Sequence, residues 1–213
     1  MRRTVVLTTA LMLAATGCSG SDSGTTPTPA TTSGAVDTAA ATDPGTDLEL
    51  GDEATLVWQP ATSLTGVLEL SVDAVAEQRQ SVFDGWIRDD VMAASRPYFV
   101  TVTLTNAGES DLAGQDVPLY LRDDNGTLGA PWTLGGDFAA CQSGPLPTPF
   151  GAGTDAGMCL VYLVPDGARI EDLVFEPTEG YDPITWSGEV QAPEKKADGK
   201  KNQKQDGKKR KRG

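Results

Sequence analysis

The chain contains no histidine. That absence removes the most frequent general base near neutral pH and the most frequent metal ligand. Lysine is missing before Lys195, so no lysine stands in the body of the chain to activate a serine. Cysteine is scarce: Cys18, Cys141 and Cys159 are the three present, and none has the Cys-x-x-Cys spacing of a redox pair. No Gly-x-Ser-x-Gly elbow and no phosphate-cradling glycine loop occurs. Acidic residues are plentiful, but no spacing singles out a catalytic pair, and most fall in turns or on outward strand faces. Asp123-Asp124-Asn125-Gly126 lacks the alternating oxygens and terminal Glu of a calcium loop and reads as a tight turn. Together these absences argue against an enzyme, and they leave no catalytic, cofactor-binding or metal-binding residue to assign.

Long hydrophobic runs are short as well. After Met1-Arg2-Arg3, the apolar stretch Val5 to Ala15 cannot span a bilayer as a helix and reads as the core of a secretory signal peptide, residues 1–17. Ala15-Thr16-Gly17-Cys18 resembles a bacterial lipobox, which implies cleavage before Cys18 and a diacylglycerol on its sulfur. The expected location is the outer face of the cell membrane, held there by lipid. Residues 18–47 are Ser, Thr, Pro, Gly, Ala and Asp with almost nothing apolar, so a disordered linker is expected. As a coil it would reach roughly 30 Å. The run Thr25 to Thr32 suits either O-linked sugars or a bare tether.

Charge is partitioned sharply. Residues before Glu194 include 7 basic and 27 acidic side chains, a balance of −20. From Glu194 to Gly213 there are ten basic and three acidic, a balance of +7. An acidic body with a basic end points to an interaction segment, and residues 193–213 should form a disordered tail. Lys208, Lys209, Arg210, Lys211 and Arg212 are its densest part. They suit anionic lipid headgroups, an acidic wall polymer or the chain's own acidic body, as well as plain solvation. Nucleic acid is not an expected partner of an exported chain.

Between these appendages, residues 48–192 hold all thirteen aromatic residues, from Trp58 to Trp186, and mark the folded domain. Val67 to Val75 alternates, with Leu68, Leu70, Val72 and Ala74 on one face. Tyr98 to Thr105 alternates again, with Tyr98, Val100, Val102 and Leu104 inward. A period of two is the mark of a half-buried strand. Ala54 to Trp58, Val117 to Arg122, Trp132 to Leu134, Ile170 to Phe175 and Ile184 to Trp186 are further candidates. Met158 to Val164 is an unbroken apolar run ended by Pro165-Asp166-Gly167, which predicts a central strand buried on both faces. Seven or eight short strands separated by Gly, Pro, Asn and Asp predict an all-β, antiparallel sandwich. Glu77 to Ser95 fits no strand and reads as a long functional loop or a short helix packed on the sandwich.

The domain resembles the telokin-like, immunoglobulin-like extracellular domains of actinobacterial lipoproteins, a family of unknown function. The segments that carry the resemblance are Pro97 to Gly108, Val117 to Tyr120, Cys141 to Pro147 with Phe150, Cys159 to Pro165, and Asp182 to Trp186. It implies an immunoglobulin-like sandwich outside the cell and supplies no ligand or catalytic residue.

Cys141 and Cys159 in an exported domain predict a disulfide. Phe83 and Trp86 are a candidate binding surface, with core packing as the competing reading. The leading expectation is a non-enzymatic envelope module that binds a partner or supports structure. The alternative is a small-ligand or partner-binding accessory subunit of a transporter or sensor, which would need a concave apolar pocket. Deleting residues 194–213 is expected to weaken binding to anionic vesicles and purified wall, and rising salt should weaken binding of the intact chain. Vesicle flotation checks both, and unchanged binding on deletion overturns the tail's surface role.

Overall fold

Alternation of apolar and polar residues builds strands along most of the chain. The computed structural model describes residues 41–86, 89–134 and 138–193. The signal segment, Cys18, residues 18–40 of the linker, and the tail with Lys208, Lys209, Arg210, Lys211 and Arg212 lie outside the described residues. The elements are β1 (Asp47–Glu49), β2 (Glu53–Ala61), β3 (Leu64–Glu77), a 3-10 turn (Gln80–Phe83), α1 (Asp90–Ala93), β4 (Ser95–Asn106), β5 (Tyr120–Asp123), β6 (Leu128–Gly129), β7 (Asp155–Pro165), β8 (Ile170–Phe175), β9 (Ile184–Ser187) and β10 (Val190–Gln191).

Two sheets face each other in a β-sandwich. One runs β1-β9-β8-β5-β6; the other runs β10-β3-β4-β7, with β2 also paired to β3. Strand β3 is long enough for its outer edge to hold β2 along Leu64–Ser71 and β10 at Val75–Ala76. The sheets are mixed rather than purely antiparallel, because β1 pairs with β9 and β10 with β3 in parallel. Those short pieces, with β6, raise the strand number above the seven or eight expected. Two or three residues carry no alternation to read, so the tertiary pairing alone defines them. The sandwich also begins earlier than residue 48: Thr42 donates its N–H to the Thr55 carbonyl, and Gly45 donates to that of Asp182.

The interior face of β4 is the one expected, with Tyr98, Val100, Val102 and Leu104 buried. On β3 the inward set is Leu68, Leu70, Val72 and then Val75. Ala74 does not follow them, because a bulge at Asp73 shifts the register between Val72 and Ala74 and turns the next side chains over. The expected strand Val117 to Arg122 starts only at Tyr120. Pro118 has no N–H for a ladder, and Leu119 donates instead to the Val117 carbonyl two residues back. Gly66 lets the chain pass under Trp58, whose ring would lie 2.5 Å from a β-carbon there.

Strand β7 pairs with β4 over eleven residues, from Asp155 opposite Thr105 to Pro165 opposite Ser95. It is buried on both faces, yet it is the edge of its sheet and not a central strand. Its inward side chains Leu160, Tyr162 and Val164 enter the main core, while Val161 on the other face belongs to a second core.

Two polar groups sit fully inside this apolar interior. The Tyr162 hydroxyl donates to the Leu119 carbonyl, 2.8 Å away on the chain leading to the opposite sheet. Burial, and then the neighbouring Tyr120, push that hydroxyl well above its ordinary pKa. Asn106, at the end of β4, donates its side-chain amide to the carbonyls of Ser110 and Phe150 and accepts from Gly108 N–H. Its backbone exchanges bonds with Thr154 and Gly153. Removing either group strands a buried carbonyl, which costs about 1–3 kcal/mol. Tyr162→Phe is expected to lower unfolding free energy by about 1–2 kcal/mol, and Asn106→Ala by about 3 kcal/mol, because it orphans two carbonyls. Urea titration measures both. An Asn106→Ala variant as stable as the parent would remove Asn106 from this role.

Candidate functional site

The features that set this sandwich apart gather along β7. The outward side chains of β4 and β7 near Phe99, Val161 and Leu163 are apolar, so that part of the sheet cannot face water. Two segments cover it. The first is the stretch from Gln80 to Ala94: a 3-10 turn, then α1, whose start is capped by the Asp89 carboxylate accepting the Met92 N–H at 2.8 Å. Gln80 ties both ends together by donating its amide to the carbonyls of Met92 and Ser95. The second is the stretch around Trp132, Leu134, Phe138 and Cys141. Of the two expectations for Glu77 to Ser95, the structure shows the short helix packed on the sandwich, with Glu77 ending β3 and Ser95 beginning β4.

Phe138 is the hub of this second core. Phe83 lies against it with ring centroids 5.5 Å apart, Trp86 meets it edge-on at 5.2 Å, and Phe99 does so at 5.9 Å. Such aromatic pairs each contribute about 0.5–1.5 kcal/mol beyond burial. Phe83 is fully buried. It is thus core, and the expectation that it forms part of a binding surface is corrected: an apolar sheet face beneath it claims its ring. Trp86 is half-buried in the same cluster.

The free edge of β7 is closed at Val161. Its N–H donates to Ser143 Oγ at 2.9 Å, and its carbonyl accepts the Trp132 N–H at 2.7 Å. The bridge at Trp132 is the short edge piece anticipated from sequence. Ser143 and Asn106 escaped sequence reasoning, because each looks like an ordinary loop polar residue until its distant partner is known.

Cys141 and Cys159 are joined by a disulfide, with Cα atoms 5.2 Å apart and a sequence separation of 18. It fastens the proline-rich loop to β7. Beside it lies a groove of about 490 Å³ lined by Ala139, Gln142, Pro145, Pro147, Gly157 and Met158, among others. A second depression of about 420 Å³ is bordered by Glu77, Arg96, Asp166 and Pro193, where the described chain ends. Arg96 and Glu77 form an ion pair there at 3.5 Å.

Charged groups elsewhere serve turns and strand pairs. Arg122 forms a two-pronged pair with Asp172 on the neighbouring strand, and that hydrogen bond raises the guanidinium pKa. Asp123 is buried at the turn after β5 and accepts the backbone N–H groups of Asn125 and Thr127 through Oδ1. Thr127 N–H holds its pKa below the ordinary carboxylate value, with burial opposing and Asn125 assisting. Gly126 completes this turn at φ 79°. Among the described residues, no group of three or more Cys, Asp or Glu is placed to hold a metal.

No protein-family model matches the chain, and no curated protein sequence does. Two solved structures are similar in outline. One is the secreted protein MPT63 of Mycobacterium tuberculosis, 13% identical over 67% of this chain and 96% of that one, with a TM-score of 0.44. The other is the yjhA protein of Bacillus subtilis, 15% identical over 66% and 99%, with a TM-score of 0.37.

Replacing Cys141 and Cys159 together by serine is expected to cost about 3 kcal/mol, from the loop entropy released in the unfolded chain. Urea unfolding of the oxidised parent and the variant checks this; equal midpoints would show that the second core holds the loop unaided. Asp123 gives a pH signature. Its folded pKa is depressed, so its contribution is present above the ordinary carboxylate pKa and is lost as pH falls through the folded value. The stability gap between the parent and Asp123→Asn should therefore shrink on acidification from about pH 5 to 2. A gap independent of pH would contradict the assignment.

Proposed function

We propose that this chain is an exported, lipid-anchored surface protein whose sandwich acts as a non-enzymatic binding or structural module of the cell envelope. The observation that carries the reading is the Cys141–Cys159 bond in the folded domain. Structural disulfides form and persist in oxidising compartments, outside the cytosol. With those two cysteines consumed by each other, Cys18 is the one remaining thiol, and it stands directly after Ala15-Thr16-Gly17. An apolar signal ending in a small residue and a cysteine suits lipid attachment better than an unpaired thiol suits an exported protein. The resemblance to telokin-like lipoprotein domains agrees with this reading. On it, diacylglycerol at Cys18 holds one end at the membrane, and the basic residues Lys208 to Arg212 contact anionic lipid or wall polymer. A second reading, an accessory module that handles a partner, draws on the 490 Å³ groove beside the disulfide.

Metabolic labelling with an alkyne fatty acid tests the anchor. The parent chain is expected to take up label and stay with the membrane, and Cys18→Ser to lose label and appear in the medium. Equal membrane retention of an unlabelled Cys18→Ser variant would overturn lipid anchoring.

A further inference from the structure

The outer face of the β2–β3–β4–β7 sheet divides into two unlike halves. Near Phe99, Val161 and Leu163 it carries the second core. Further along, Thr101 and Thr103 are exposed, and the face is polar. Glu69, Thr105 and Asp155 stand side by side on three strands, and Glu53, Ser71 and Thr103 form the next row. Asp73, at the bulge, accepts from Ser71 at 2.5 Å and Thr103 at 2.8 Å. Glu53, Glu69, Asp73 and Asp155 thus share one face of the sheet. The described arginines lie elsewhere: Arg79 and Arg96 at the opposite ends of β3 and β4, Arg122 and Arg169 beside the other sheet.

The segment that fits this face leaves the sandwich from its own edge. β10 runs beside Val75 and Ala76 on β3, and the described chain ends at Pro193. The next residues, Glu194–Gly213, carry a balance of +7. From Ala76 back to Glu69 is about 23 Å along the strand. Twenty residues reach at most about 70 Å, so length is not limiting. A tethered segment also competes at an effective concentration of order mM, well ahead of another copy of the chain in dilute solution.

We propose that the basic tail Glu194–Gly213 docks on the polar outer face of its own sheet at Glu53, Glu69, Asp73 and Asp155, so that an anionic surface has to displace it. The displacement rests on the tail being the surface-binding segment; the docking itself does not. Glu53, Asp73 and Asp155 are exposed and Glu69 is half-buried, so the contact is salt-labile: screening shortens such interactions to about 10 Å at 0.1 M salt. While docked, the tail is withheld from other anions, and the apparent affinity for a surface falls by the fraction of time it is free.

The test uses the chain from residue 18 onward with Cys18→Ser, and two variants of equal charge in that background. One neutralises the patch (Glu53→Gln, Glu69→Gln, Asp73→Asn, Asp155→Asn). The control neutralises four acids outside it (Glu109→Gln, Glu171→Gln, Glu176→Gln, Glu179→Gln). Carbodiimide crosslinking at low salt, read by mass spectrometry of the monomer, is expected to join tail lysines to the four patch carboxylates and to lose those links at high salt. Vesicles containing phosphatidylglycerol should bind the patch variant about tenfold more tightly than the control if the tail is docked nine-tenths of the time. Links spread evenly over acids of both sheets, or links found only between copies, would each overturn the docking; equal vesicle affinity of the two variants, where deletion of residues 194–213 does weaken binding, would overturn the displacement. Unchanged vesicle binding on deletion of residues 194–213 would instead overturn the tail's surface role and leave the crosslinking result standing.

Discussion

Everything distinctive in this sandwich follows from β7 being apolar on both faces while lying at the edge of its sheet. An edge strand usually sheds one face into water. Here Leu160, Tyr162 and Val164 face the main core, and Val161 needs cover on the other side. Each large apolar side chain so buried contributes about 1.5–3 kcal/mol. The cover is built from loops: the 3-10 turn and α1 bring Phe83 and Met92, and the stretch before the disulfide brings Phe138. Ser143 and Trp132 then satisfy the edge-facing N–H and carbonyl of Val161, which blunts the edge against pairing with another chain.

That arrangement also explains what the disulfide does. The loop from Phe138 to Phe150 is rich in proline and has few ladder bonds of its own. It is held at Cys159 by the disulfide, at Val161 by Ser143, and by Leu146 and Phe150 in the main core. Asn106 fixes its far end by accepting and donating across the gap to Phe150 and Gly108. The loop is therefore part of the scaffold, and the groove beside it has firm walls.

Charge is organised on a larger scale than packing. The outer face of one sheet turns from apolar to acidic along its length, and the only lysines in the chain belong to the segment that leaves from that sheet's edge. An anchor at Cys18 and a basic tail would place the acidic sandwich between two attachments of opposite character, one hydrophobic and nearly permanent, one electrostatic and salt-sensitive.

Much of this was legible along the chain. The period of two located the inward faces of β3 and β4, the apolar run marked β7, and the lone pair of domain cysteines gave the disulfide, because these signals are local or compositional. Tertiary structure decided the rest. Alternation says which side chains avoid water but not what covers them, so Phe83 read as a possible surface anchor and proved to be core. Burial on both faces suggested a central strand, yet loops supplied the second cover and β7 stands at the edge. The bulge at Asp73, the brief parallel pairs of β1 and β10, and the roles of Asn106 and Ser143 all depend on partners far away in sequence. No local pattern encodes a partner that only the closed fold brings within hydrogen-bond reach.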